Sequence, residues 1–334
     1  MRRGLLVFTV PLGCSIAFWR FGDPKLVRAT LDRLSVEIVI TLLALLTVNE
    51  LVKGLRWAWY LRAAHLPIRI VDGLTSYLAS QAASALPGGA LLSARLAEEH
   101  GGGKFRLRHT TPPLLVQGFG DLAAVSLLAL AGILLTAQAS FQLVAPVTGF
   151  VIALLFASGA RSERLGTFLA GVLERSRATR RLVPVERDAQ RTLRTLCTPR
   201  ALVPGIAASI VSSLVTAAIL VLLAEALTLR GLRPHEAVYV HGMTMLAHFL
   251  VPIPNGFGTN ELSLIGLLNL IGIGFGRATA IAVTYRALGL GFRTVVGIAV
   301  LLVRYHSVLF ALRRPPMPQP RPALQLELAS DGRD

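Results

Sequence analysis

Among the ionisable side chains within or against long apolar stretches of this sequence, Arg95, Asp121, Glu261, Arg286 and Arg293 stand nearest to breaks or deepest in the runs. Charges in such surroundings are costly enough to be functional candidates by default. Arg286 and Arg293 lie seven residues apart, nearly two helical turns, so their guanidiniums share a face. Arginine forks match phosphate oxygens bidentately. Arg95, Arg286 and Arg293 are therefore read as a phosphate-holding set, with Glu261 and Asp121 orienting them or relaying a proton. The same residues also fit a plainer arrangement, in which Arg286 with Glu261, or Arg95 with Asp121, are ion pairs between neighbouring helices.

Two Pro/Gly clusters adjoin these charges. Pro87-Gly88-Gly89 precedes Arg95, and Pro252-Ile253-Pro254-Asn255-Gly256-Phe257-Gly258 runs into Asn260 and Glu261. Gly88, Gly89, Gly256 and Gly258 permit close backbone approach, and Pro254 and Asn260 belong to the same candidate lining. A helix starting after either break would aim partial positive charge at an anion. His235, Glu236, His241 and His248 lack a ligand spacing such as HExxH, so no metal is expected. No GxSxG elbow, Walker or Rossmann pattern occurs, so neither a catalytic set nor a cofactor is expected.

The elements that must position these residues follow from composition. The chain has 334 residues, 53% hydrophobic and 16% charged, with a mean hydropathy of +0.61. An average soluble domain carries roughly 25% charged residues, which excludes an ordinary soluble enzyme. Apolar stretches recur along most of the chain, near the ~20 residues a bilayer-crossing helix needs. The net charge of +16 sits between those stretches, where anionic headgroups explain it without nucleic acid. Cys14 and Cys197 are the only cysteines, so no disulfide framework exists.

Candidate membrane segments fall at about 4 to 19, 35 to 55, 71 to 86, 88 to 99, 112 to 136, 141 to 159, 201 to 229, 237 to 251, 261 to 275 and 277 to 303. Residues 4 to 19 are read as a retained first helix, because no small-x-small cleavage site follows. Trp57, Trp59 and Tyr60 beside Arg56 and Arg62 are read as an interfacial anchor. Residues 160 to 200 hold ten Arg and four acids, a net of +6, and positive-inside counting makes them cytoplasmic. The equally basic segments around Arg56 and Arg106 also belong inside, so residues 71 to 100 enter and leave on one face as a re-entrant hairpin. Residues 237 to 275 form a second hairpin by the same bookkeeping, dipping from the opposite side.

The fold expected is an all-α polytopic membrane protein with six crossings and two opposed re-entrant helical hairpins, resembling an inverted repeat. Residues 1–312 form the membrane domain, with both termini cytoplasmic. Residues 313–334, with five prolines in the first ten, are a disordered tail. Residues 160 to 200 are read either as an amphipathic helix on anionic headgroups or as a solvated connector.

At this point the sequence resembles the flippase-like, lysylphosphatidylglycerol synthase transmembrane-region family. The resemblance rests on Leu55-Arg56-Trp57 to Leu66-Pro67, on Leu86-Pro87-Gly88-Gly89 with Arg95, on Asp121, and most strongly on Val251 through Glu261 followed by Tyr285-Arg286. Asn260 stands where that family usually has arginine and Asn255 where it has glycine, while Gln117 and Gly118 replace a glutamate and an arginine. The resemblance implies a lipid translocase of the cell inner membrane, acting on an anionic phospholipid, glycolipid or polyprenyl-linked lipid. It also implies that the aminoacyl-transferase domain of the synthases has no counterpart in these residues. Two alternatives stand beside it: an intramembrane enzyme on a lipid phosphate, with Glu261 or Asp121 as base, and a non-transporting partner of a lipid-modifying enzyme.

Overall fold

A computed structural model of the chain describes residues 35–84, 89–100, 107–136, 140–164, 167, 183–228, 230–250 and 258–305. These residues form helices α1 (Val36–Ala63), α2 (Ile70–Ser80), α3 (Gly89–His100), α4 (Leu107–Thr136), α5 (Val144–Arg161), α6 (Val183–Leu196), α7 (Pro199–Leu227), α8 (Pro234–Leu250), α9 (Thr259–Leu270) and α10 (Phe275–Arg304). No strand occurs among the described residues. Among the described residues five helices are long and apolar enough to cross a membrane: α1, His109–Thr136 of α4, α5, α7 and α10. They correspond to five of the six expected crossings. The sixth, 4 to 19, lies outside the described residues, as does the tail 313–334.

The helix limits follow local chemistry. The Ser35 hydroxyl accepts the Ile38 N–H at 3.3 Å, capping α1, and Glu37 and Arg62 complement its dipole at either end. Pro199 opens α7, where its missing N–H has no helical acceptor to lose. Gly272, in the left-handed region at φ 92°, closes α9 while its N–H donates to the Asn269 carbonyl at 2.9 Å.

The remaining apolar helices are short and paired. At 1.5 Å per residue α2 is about 17 Å long and α3 and α9 each about 18 Å, against a hydrocarbon core of about 30 Å. The helix α2 packs on α3, and α8 packs on α9, so both form helical hairpins. The turns between them, 85–88 and 251–257, lie outside the described residues, and Gly88, Pro254 and Gly256 fall there.

Small residues let the bundle close. The helix α4 packs against α8, where a Cβ on Gly132 would come within 2.6 Å of the Tyr239 backbone and one on Gly242 within 2.9 Å of Ala129. Close backbone approach of this kind is the usual basis of helix association in lipid. Leu42, Leu220, Leu223, Tyr239, Leu268 and Ile281 form the main apolar core, while Val36, Ile40, Leu134, Leu155 and Val303 point outward. An apolar exterior of this extent suits lipid rather than water.

Two expectations are corrected here. The helix α1 runs on to Ala63, past the expected end near residue 55, and carries Arg56 into the bundle, where it is buried. Trp57 and Tyr60 are also enclosed, the Trp57 indole donating to Ser76 Oγ at 3.2 Å; only Trp59 is exposed in the manner of an anchor. The physical reason is that Arg56 is neutralised inside the protein, so the apolar span need not end there.

The helix α6 is amphipathic. It sets Leu193 and Leu196 against Tyr60, Val116 and Ala160, and turns Arg191 outward.

Candidate functional site

The inward face of α1 carries Asn49, Glu50, Lys53 and Arg56, spaced so that all four share one helical stripe. That stripe meets α4, α7, α10 and α2. Arg56 makes a bidentate pair with Asp121 of α4, Nη2 donating to Oδ2 at 3.0 Å and Nη1 to Oδ1. Its Nη1 also donates to Ser209 Oγ of α7. Asn49 meets Ser212, one turn further along α7. The serines serve here as hydrogen-bonding groups between helices.

Glu50 is 2% exposed and lies between two cations, Lys53 Nζ at 3.8 Å and Arg293 Nε of α10 at 3.9 Å. Its other oxygen accepts the Tyr77 hydroxyl at 3.3 Å, joining α2 to the group. Two turns from Arg293 on α10, Arg286 Nε lies 3.1 Å from Glu261 Oε1. Glu261 Oε2 accepts the Gly258 N–H at 2.7 Å, so this carboxylate both closes the start of α9 and meets the arginine. The charge expected from that helix N-terminus is thus already answered by a side chain of its own first turn. Beside it the Asn260 side-chain oxygen is buried and accepts no hydrogen bond among the described residues.

The expected site residues that fall within the described segments have these places, while Gly88, Pro254 and Gly256 lie outside them. Asp121, Glu261, Arg286 and Arg293 belong to buried or half-buried ionic contacts joining helices, and Asn260 and Gly258 border Glu261. Gly258 has φ 85°, a conformation that favours glycine. Arg95 instead pairs with Glu98 on its own helix at 3.0 Å, with 65% of its side chain exposed. No described contact joins it to Asp121, Arg286 or Arg293. A Cβ on Gly89 would collide with the Ala83 carbonyl, so this glycine serves the fold of the first hairpin.

Sequence reasoning missed Glu50, Lys53 and the inward role of Arg56. Two charges and an asparagine at 49, 50 and 53 inside an apolar run were the available signal. No group of three His, Cys, Asp or Glu side chains suited to a metal occurs among the described residues. A shallow pocket of about 440 Å³ lies at the turn between α7 and α8, lined by Glu225, Thr228, Arg230 and Arg233.

A bundle of apolar helices with a charged stripe buried at its centre defines a multi-pass, all-helical membrane protein. The chain belongs to the lysylphosphatidylglycerol synthase transmembrane-region family, whose profile matches residues 4–297. Family and fold together make it a membrane protein of lipid metabolism or translocation. Comparison with curated proteins and with solved structures returned no match.

Proposed function

We propose that the protein moves a lipid with an anionic headgroup between the leaflets of the cell inner membrane, the lipid being a phospholipid, glycolipid or polyprenyl-linked lipid. The carrying observation is the Arg286–Glu261 contact at 3.1 Å, set beside the 251–257 break and continued inward by Arg293 and Glu50. A guanidinium held by a carboxylate in the first turn of a helix can exchange that partner for a phosphate. Asn260 offers a polar group at the same place, Gly258 turns the backbone beside it, and Pro254 and Gly256 belong to the same candidate lining by their place in the sequence. Gly89 begins α3 with Gly88 before it in the sequence, and Arg95, exposed on α3, attracts the headgroup at the surface. Arg56 and Asp121 hold α1 against α4 as the frame around which the hairpins work.

In this reading the two hairpins enter from opposite faces and both termini are cytoplasmic. Residues 1–312 form the working domain, and residues 160–200 rest on anionic headgroups. The acyl chains stay in the bilayer while only the head crosses. Reconstitution tests the reading: wild-type protein in liposomes should carry a labelled anionic lipid across, and Arg286→Ala should abolish that transfer while inserting normally. Equal transfer by the two proteins would refute it.

A further inference from the structure

Glu50 is held unusually loosely for so enclosed a carboxylate. Both cations beside it stand beyond hydrogen-bond length, at 3.8 and 3.9 Å, and its Oε1 accepts no hydrogen bond among the described residues. The neighbouring charges are matched differently: Arg56 clasps Asp121, and Arg286 meets Glu261. Across this group four cations, Lys53, Arg56, Arg286 and Arg293, face three carboxylates, Glu50, Asp121 and Glu261. One positive charge is therefore left over, and it resides where two cations share Glu50. In a low-dielectric interior such an excess draws in an anion.

The donors are available to take one. Arg293 Nε donates to the Gly289 carbonyl at 3.0 Å, which leaves its two Nη groups for another acceptor. With the Asn49 amide nitrogen facing Ser212, the amide oxygen takes one Lys53 proton at 3.2 Å, and the ammonium keeps two more. Lys53 and Arg293 retain 26% and 27% side-chain exposure, whereas Glu50 beneath them is closed off.

We propose that Lys53 and Arg293 form an anion subsite over Glu50 that takes a singly charged phosphodiester headgroup, with Glu50 as the resident counter-ion when the subsite is empty. The inference deepens the lipid-binding reading above and rests on it. One added negative charge completes the balance, so a phosphodiester is preferred to a phosphomonoester dianion, and a zwitterionic head gains nothing.

The test is native mass spectrometry of the detergent-purified full chain with dioleoylphosphatidylglycerol, dioleoylphosphatidylcholine or inorganic phosphate. Wild type should retain phosphatidylglycerol over phosphatidylcholine, and Arg293→Gln should lower that retention about tenfold, the loss of one charge-assisted contact. Glu50→Gln should raise it, because the competing carboxylate is gone. Opposite signs mark a subsite, since a purely structural cluster would weaken retention in both variants. Weaker retention in Glu50→Gln, or unchanged retention in Arg293→Gln, would overturn the proposal, and so would full displacement of the lipid by inorganic phosphate. Should Glu50→Gln not fold, Arg293→Lys takes its place: it keeps the positive charge and should retain phosphatidylglycerol within a few-fold of wild type, whereas a loss as large as in Arg293→Gln would overturn the proposal. The assay reads binding without movement. The expected signs without transfer in liposomes would refute translocation and keep the subsite; transfer abolished in Arg286→Ala with Arg293→Gln retaining phosphatidylglycerol like wild type would do the reverse.

Discussion

Arg56 and Asp121, 65 residues apart in the chain, form a bidentate pair that joins α1 to α4, with Nη2 and Oδ2 3.0 Å apart. Arg56 is buried, and Asp121 keeps about a third of its side chain accessible. Arg56→Ala removes the one of these two charges that is fully enclosed and leaves Asp121 without its bidentate partner. The expected loss is about 3 kcal/mol, the low end for a broken buried pair because Asp121 remains partly solvated. Thermal melting in detergent should show it, and Arg56→Met with Asp121→Leu should recover much of the loss. Equal destabilisation in the double variant would show that the pair is not the relevant interaction.

Gly132 and Gly118 lie on the same helix in opposite circumstances. A Cβ at Gly132 would meet the Tyr239 backbone at 2.6 Å, whereas one at Gly118 meets nothing within 4 Å. Gly132→Ala should lower the melting temperature and the yield of folded protein, because the neighbour is backbone and cannot turn aside. Gly118→Ala should be neutral or stabilise by about 0.5–1 kcal/mol through helix propensity. Side-by-side melts of the two variants decide it.

Cys197, in the turn between α6 and α7, is buried, and that burial pushes its thiol up to about 11, against a smaller opposing pull from Arg161. The thiolate is the reactive form, so its fraction is very small near neutral pH and grows as pH rises toward that value. Maleimide should label Cys197 slowly in the native protein, faster as the buffer becomes more alkaline, and at once after unfolding in dodecyl sulfate. Rapid labelling of native protein at neutral pH would contradict this packing.

Arg200 and Arg233 are both exposed and stand at opposite ends of α7, a helix of 29 residues or about 43 Å. Arg200→Cys and Arg233→Cys, made without the native cysteines, should react with a membrane-impermeant reagent from opposite sides of intact cells or inverted vesicles. Labelling of both from one side would overturn the expected topology and the hairpin arrangement built on it.

Sequence alone established the all-helical, membrane-spanning kind of the described elements. Apolar run length is a local property, and it located all five described crossings, because a helix in lipid satisfies its own backbone within one segment. The same locality explains the two hairpins, since α2, α3 and α9 are too short to cross and are set off by proline and glycine. Of the two ion pairs left open as the plainer arrangement, Arg286 with Glu261 is formed and Arg95 with Asp121 is not.

Only the tertiary structure decided which charge answers which. Arg56 reads as the end of a crossing because an arginine leading into a basic segment carries no record of a partner three helices further along the chain. Arg95, judged from its nearness to a Pro/Gly break, turned instead to Glu98 one turn along. Glu50, Lys53 and Arg293 meet because α1 and α10 pack together, and electrostatic pairing in a low-dielectric interior depends on distances across helices that no spacing within one helix encodes.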